Sequence, residues 1–191
     1  MYKFYAFISR MKNIKRWALM RSVKEENIME HSQQVAVLAH ALGLINNKIY
    51  KGTADVNKIV LLAQYHEVGE VITGDLPTPI KYFNPEIQSA YKDLEKKASE
   101  RLIEMLPEEL KEEYKKYIIP DQDCIEYKLV KCADRLAAYL KCVEEIKAGN
   151  AEFKKAKASI GKELNNSKYP EVAYFLKHFA PAFDLTLDEL D

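Results

Sequence analysis

The chain carries four histidines, His31, His40, His66 and His178, and two of them stand beside acids, in Glu30-His31 and His66-Glu67. Imidazole nitrogens and carboxylate oxygens together make a mixed donor set suited to a divalent transition metal. A single histidine on an apolar helix face is ordinarily a satisfied core residue, so neither says much alone. A third feature strengthens the pair: Asp134 interrupts the apolar run LVKCADRLAAYL. A carboxylate inside a core needs a cation, a donor or a metal. Lys131, three residues earlier, is the ordinary salt-bridge candidate, ahead of Arg135, which projects to a different face.

Three further segments offer chemistry. Glu70 follows His66 by four residues, which on one continuous helix places it over the same face, near a water on a metal held by His66. The competing reading is a solvated acid at a helix end. The run His66-Glu67-x-x-Glu70 lacks the second histidine of the H-E-x-x-H zinc-protease pattern, so that chemistry is excluded. Arg16-Trp17 pairs the side chain best shaped for phosphate with the only tryptophan. Trp17 suits either a nucleoside wall or ordinary core packing. Asp75-Leu76-Pro77-Thr78, within GDLPTP, is a rigid turn that ends a helix and can still present Asp75 to a ligand.

Helical periodicity surrounds these residues. Asn27-x-x-Glu30 reads as a capping box opening a helix over about 28–46, with His31, Val35, Leu38 and Leu42 on one face. Thr53 is the expected cap of a helix over about 54–72, with Val56, Ile59, Val60, Ala63, His66 and Glu70 on its inner stripe. Asn84-Pro85 opens a long polar helix of about 85–118. Asp121 or Asp123 caps another of about 123–147, closed by Gly149-Asn150, with Leu129, Ala133, Leu136 and Leu140 forming its apolar stripe. Shorter helices are expected near 2–12, 151–165 and 170–180. No segment alternates as a strand does, so the fold class is all-α, a compact multi-helix domain.

The 191 residues suffice for one core, and no repeat, linker or compositional break divides them, so residues 1–191 read as a single domain. Hydrophobic residues at 48% and charged residues at 30% exclude a disordered chain. Lys plus Arg equals Asp plus Glu at 29 each, which gives no bulk attraction to a nucleic acid polymer or an anionic membrane. No apolar run approaches the roughly 20 residues of a membrane span, and basic residues interrupt the N-terminus where a signal peptide would need an apolar stretch. Three cysteines without a C-x-x-C pair suit neither a disulfide framework nor a zinc ribbon. The expected location is cytoplasmic.

Taken together, these residues resemble the HD-domain metal-dependent phosphohydrolases, and within them the bacterial YfbR-like 5′-deoxynucleotidases. The matching segments are NIKRWALMRSVKEENIMEHSQQVA, LLAQYHEVGEVITGDLPTPIKYFN and KLVKCADRLAAYLKCVEEIKAGNAEF, with FDLTLDEL at the end. The resemblance implies an all-α HD-domain fold, usually a homodimer, that hydrolyses deoxyribonucleoside 5′-monophosphates to deoxynucleoside and phosphate. It implies one divalent cation, Co²⁺, Mn²⁺ or similar, held by His31, His66, Glu67 and Asp134. Arg16 would orient the phosphate, Glu70 and Asp75 would be the catalytic acids, and Arg16, Trp17, His31, Glu67, Asp75, Leu76, Pro77, Thr78 and Asp134 would contact the substrate.

One departure stands out: the doublet is His66-Glu67 where the family pattern has His-Asp. Glutamate keeps the carboxylate and adds about 1.5 Å of reach, and a misplacement of about 1 Å can cost about 100-fold in rate. The expected consequence is a change in rate or metal preference and not in reaction type. Both histidines bind metal as neutral rings, so affinity is expected to fall below about pH 6.5. The alternative readings are another HD hydrolase, cleaving phosphodiesters or nucleoside triphosphates, or a catalytically weakened nucleotide-binding helical domain.

Overall fold

A computed structural model describes all 191 residues, Met1 to Asp191. Ten α-helices follow one another: α1 (Phe4–Ile8), α2 (Ile28–Lys48), α3 (Val56–Tyr65), α4 (Glu70–Thr73), α5 (Thr78–Lys81), α6 (Pro85–Ile103), α7 (Glu108–Ile118), α8 (Ile125–Lys147), α9 (Lys154–Asn165) and α10 (Pro170–His178). Short 3₁₀ turns link several of them, and the only strand-like pairing is one isolated antiparallel bridge, Lys15 with Asn27. No helix is long and apolar enough to cross a membrane.

The centre is a three-way packing of α2, α3 and α8. Leu42 from α2, Ile59 and Leu62 from α3, and Leu129, Leu136 and Leu140 from α8 are buried together in one cluster. Each such side chain contributes roughly 1.5–3 kcal/mol on leaving water. The stripes expected on α2 and α8 join the helices, whereas on α3 Leu62, outside the expected stripe, is buried and Val56 and Val60 are only half-buried. A smaller cluster of Phe4, Met11, Ile28, Val68, Leu102, Ile103, Leu106 and Ile118 ties α1, α6 and α7 to the near end of α2.

Four expected boundaries move. The helix expected over 54–72 starts at Asp55, not Thr53, whose side chain stands too early; Asp55 accepts from Lys58 N at 3.0 Å. It also stops at Tyr65, and residues 66–69 form tighter i→i−3 turns, with Glu70 N donating to Glu67 O at 3.0 Å. Val68 is buried in the second cluster, and a Cβ on Gly69 would lie 3.3 Å from Ser99 Oγ. Tertiary packing thus overrides the helical period there. The helix expected over 85–118 is two, because Pro107 becomes the N-cap of α7 and cannot lie inside a helix. At α8 the cap is Cys124, whose Sγ accepts from Tyr127 N, while Asp121 accepts from Asp123 N.

Other ends agree with their local chemistry. Asn27 accepts from both Met29 N and Glu30 N at the start of α2, and Asn84 accepts from Ile87 N at the start of α6. Gly149 closes α8 with φ of 88°, a conformation open to glycine at little cost.

Candidate active site

Each of three helices delivers a donor to one point. His31 stands in the first turn of α2, His66 at the C-cap of α3 with Glu67 just beyond, and Asp134 midway along α8. One ligand atom from each of these four side chains lies within 4.8 Å of all the others. His31 Nε2 is 3.0 Å from Asp134 Oδ1 and 3.6 Å from Glu67 Oε1, while His66 Nε2 is 3.7 Å from Glu67 Oε1.

The tautomer of His66 follows from its neighbour. Its Nδ1 lies 2.7 Å from the carbonyl oxygen of Ala63, which can only accept, so Nδ1 carries the proton and Nε2 offers a lone pair. That Nε2 is buried without any hydrogen-bond partner, as is Glu67 Oε2. An unpartnered buried nitrogen and carboxylate oxygen on residues of one four-donor cluster fit a divalent cation and would be costly without one.

Electrostatics prepare the donors. Burial lowers the pKa of His66, which keeps the ring neutral. Burial would raise Glu67, but the Arg16 guanidinium, with His31 and His66, brings it below the usual carboxylate range. Asp134 is likewise buried, and Lys131, with His31, holds it well below that range. Lys131 Nζ is 3.2 Å from Asp134 Oδ2, so the ordinary salt bridge and the cluster share one carboxylate.

The cluster borders a cavity of about 860 Å³, lined by Arg16, His66, Glu67, Glu70, Asp75, Leu76, Thr78 and Asp134 among others. Arg16 Nη1 reaches Glu67 Oε1 at 2.5 Å, and its Nε reaches Glu26 Oε2 at 3.1 Å. Glu70 begins α4, so the broken helix, not a continuous one, carries it to the cavity. Burial, helped by Glu67 and Asp75, raises its pKa to about 9. Burial also raises Asp75 above its usual value. The turn bearing Asp75 is fixed from α6: Tyr91 Oη donates to Gly74 O at 3.1 Å, and Lys81 Nζ donates to Glu95 at 2.7 Å.

Three of the expected substrate residues are not in the cavity lining: Trp17, Pro77 and the fully buried His31. The Trp17 ring packs against Phe153, with centroids 5.2 Å apart, and its Nε1 donates to Glu26 Oε2. Glu26 is the residue that reasoning from sequence missed: it lies in a loop, outside any periodic pattern.

The fold is the one seen in solved HD-domain phosphohydrolases. An HD-domain phosphohydrolase from Listeria innocua superposes with a TM-score of 0.82 over 95% of this chain and 88% of that one, at 21% identity. The HD phosphohydrolase DatZ of cyanophage S-2L, solved bound to dA and one catalytic Zn²⁺ ion, superposes at TM-score 0.63 over 92% and 95%, at 19% identity. Residues 3–183 match the family model described as 5′-deoxynucleotidase YfbR-like, and the chain belongs to that family. A 5′-deoxynucleotidase of Vibrio cholerae is 53% identical over 98% of this chain and 97% of its own. One of Yersinia pestis is 52% identical over 98% and 95%.

Proposed function

We propose that this protein is a metal-dependent 5′-deoxynucleotidase, which hydrolyses deoxyribonucleoside 5′-monophosphates to the deoxynucleoside and phosphate. The observation that carries the reading is the four-residue donor cluster with an arginine beside it at a cavity, in a chain about half identical to proteins of that activity. His31, His66, Glu67 and Asp134 would hold one divalent cation. Such an ion supplies Lewis-acid polarisation of a phosphoryl oxygen and a water made acidic enough to attack at neutral pH.

The chain's own groups do the rest. Arg16 holds and orients the phosphate through guanidinium N–H groups, and positioning with charge stabilisation supplies most of the rate in phosphoryl transfer. Glu70 is the proton carrier. Its carboxyl lines the cavity, and burial raises its pKa to about 9; a cation held by the four donors would favour the ionised form, which can accept a proton. Asp75, on the clamped turn with Leu76, Pro77 and Thr78, stands toward the sugar or the leaving 5′-oxygen. Glu67 accepts a hydrogen bond from Arg16, which links the metal ligand to the phosphate-holding group.

We read the whole chain as one HD-type domain, acting in the cytoplasm, where its nucleotide substrate is found. The assembly is a homodimer in this reading. It is supported by the family resemblance and by Val37 and Leu44, seven residues apart on α2 and still exposed. Light scattering at twice the chain mass is the expected result; the single-chain mass refutes it. The activity is tested by comparing products from dAMP, AMP and dATP. Phosphate from dAMP, with less from AMP, supports the proposal. Pyrophosphate or triphosphate from dATP, with dAMP inert, points to a different HD hydrolase.

A further inference from the structure

Arg16 and Trp17 share one anchor. Glu26 Oε2 accepts from Arg16 Nε at 3.1 Å and from Trp17 Nε1 at 3.1 Å, and the Glu26 side chain is only 10% exposed. Glu26 lies on the return limb of the same loop. Arg16 N donates to Glu26 O at 2.9 Å and Ile28 N to Ile14 O at 3.0 Å, beside the Lys15–Asn27 bridge. Between these limbs Trp17 adopts φ of 59°, in the left-handed region that a bulky residue rarely enters. Such strain persists where surroundings over-determine the residue, and it clusters at functional sites. Here the surroundings are the Glu26 carboxylate and the Phe153 ring.

The consequence for Arg16 is geometric. Its Nε edge is taken by Glu26 and its Nη1 by Glu67; Nη2 enters neither of these bonds, and Arg16 lines the cavity. A guanidinium is planar and rigid, so fixing two of its nitrogens fixes the direction of the third. We propose that Glu26 is a positioning residue for the hydrolysis: it sets the plane of Arg16 so that Nη2 faces the substrate phosphate. Through the same oxygen it ties the Trp17 indole to that plane. The proposal rests on the reading of Arg16 as the phosphate-holding group.

Glutamine retains an oxygen that can accept both N–H bonds but has no charge; alanine retains neither. Glu26→Ala is therefore expected to lower kcat/KM for dAMP at least about tenfold, toward the roughly 100-fold that small misplacements cost. Glu26→Gln is expected to recover to within about threefold, since hydrogen-bond geometry and not charge is what it supplies. Trp17 is the only tryptophan, so intrinsic emission reports this residue alone, and it should shift in Glu26→Ala and not in Glu26→Gln. A role limited to holding the fold would lower thermal stability without this kinetic split. Should Glu26→Ala not fold, Glu26→Asp, which retracts the carboxylate, serves the same comparison.

The proposal is overturned by a folded alanine or aspartate variant with unchanged emission and kcat/KM within threefold of wild type. It is equally overturned by Glu26→Gln as impaired as Glu26→Ala. If the wild-type protein releases no phosphate from dAMP, the proposed function fails, and emission in Glu26→Ala then decides by itself whether Glu26 holds the loop.

Discussion

Replacement of Glu145 by glutamine tests how the loop carrying Arg16 is held to α8. Glu145 is 2% exposed and Lys141 4%. The carboxylate accepts from Lys141 Nζ at 2.6 Å, Val23 N at 2.8 Å, Asn150 Nδ2 at 2.8 Å and Lys24 N at 3.2 Å. Lys141 Nζ also donates to Lys24 O at 2.5 Å, and Asn150 to Arg21 O at 2.6 Å. Burial alone would raise Glu145, but these donors outweigh it and lower its pKa from 4.5 to about 2. Glutamine mimics the protonated carboxyl, so the shift translates to about 3 kcal/mol lost in Glu145→Gln at neutral pH. For a chain of this length that is roughly 6–12 °C in Tm.

The sign with pH follows from a depressed folded-state pKa. The stabilisation is full above 4.5, the ordinary value, and fades as pH falls toward about 2. By about pH 3, roughly 2 of the about 3 kcal/mol are gone. All other groups titrate alike in both proteins, so the difference between wild type and Glu145→Gln isolates this one carboxylate. Urea unfolding followed by circular dichroism at about pH 7 and pH 3 should show the difference shrinking to about 1 kcal/mol. A difference below about 1 kcal/mol at pH 7, or one that stays constant at pH 3, refutes the reasoning.

Other outcomes follow from the same geometry. Adding Co²⁺ or Mn²⁺ at about 100 times its Kd to chelator-stripped protein should stabilise it by about 2.7 kcal/mol, and His66→Ala should abolish the thermal shift. A shift retained by His66→Ala would place the ion elsewhere. Glu70→Gln should lower kcat by about 10²- to 10⁴-fold while metal stoichiometry stays at one per chain; unimpaired turnover would remove Glu70 from proton transfer. Leu136→Ala, at a fully buried position of α8, should cost about 3 kcal/mol in urea unfolding, and a loss under about 1 kcal/mol would mean that the α2–α3–α8 core is looser than described.

The parts of this site legible in the sequence are those that obey helical spacing. His31 shares a face with Val35, Leu38 and Leu42, and Asp134 interrupts the stripe of Leu129, Ala133 and Leu136, so their convergence follows once α2 and α8 pack. The route to Glu70 was not legible, because the break after Tyr65 is imposed by Val68 and by the close approach of Gly69 to α6. The break at Pro107 is a local rule that the amphipathic pattern concealed. Lys141 and Glu145 stand at the i,i+4 spacing that solvated ion pairs also have, so their burial under the loop leaves no mark in the sequence. Glu26 and the left-handed Trp17 depend on a turn ten residues across, whose pairing leaves no periodic trace. For Trp17 the two readings, nucleoside wall and core packing, also separate only in three dimensions, where its ring lies on Phe153.

The most direct test of the central claim is phosphate release from dAMP and AMP by protein stripped with chelator and reloaded with Co²⁺, Mn²⁺, Mg²⁺ or Zn²⁺. The account predicts release that requires the ion, favours dAMP, and disappears in Asp134→Ala together with stoichiometric metal binding. No release with any of the four ions, from protein that binds none of them, would contradict it.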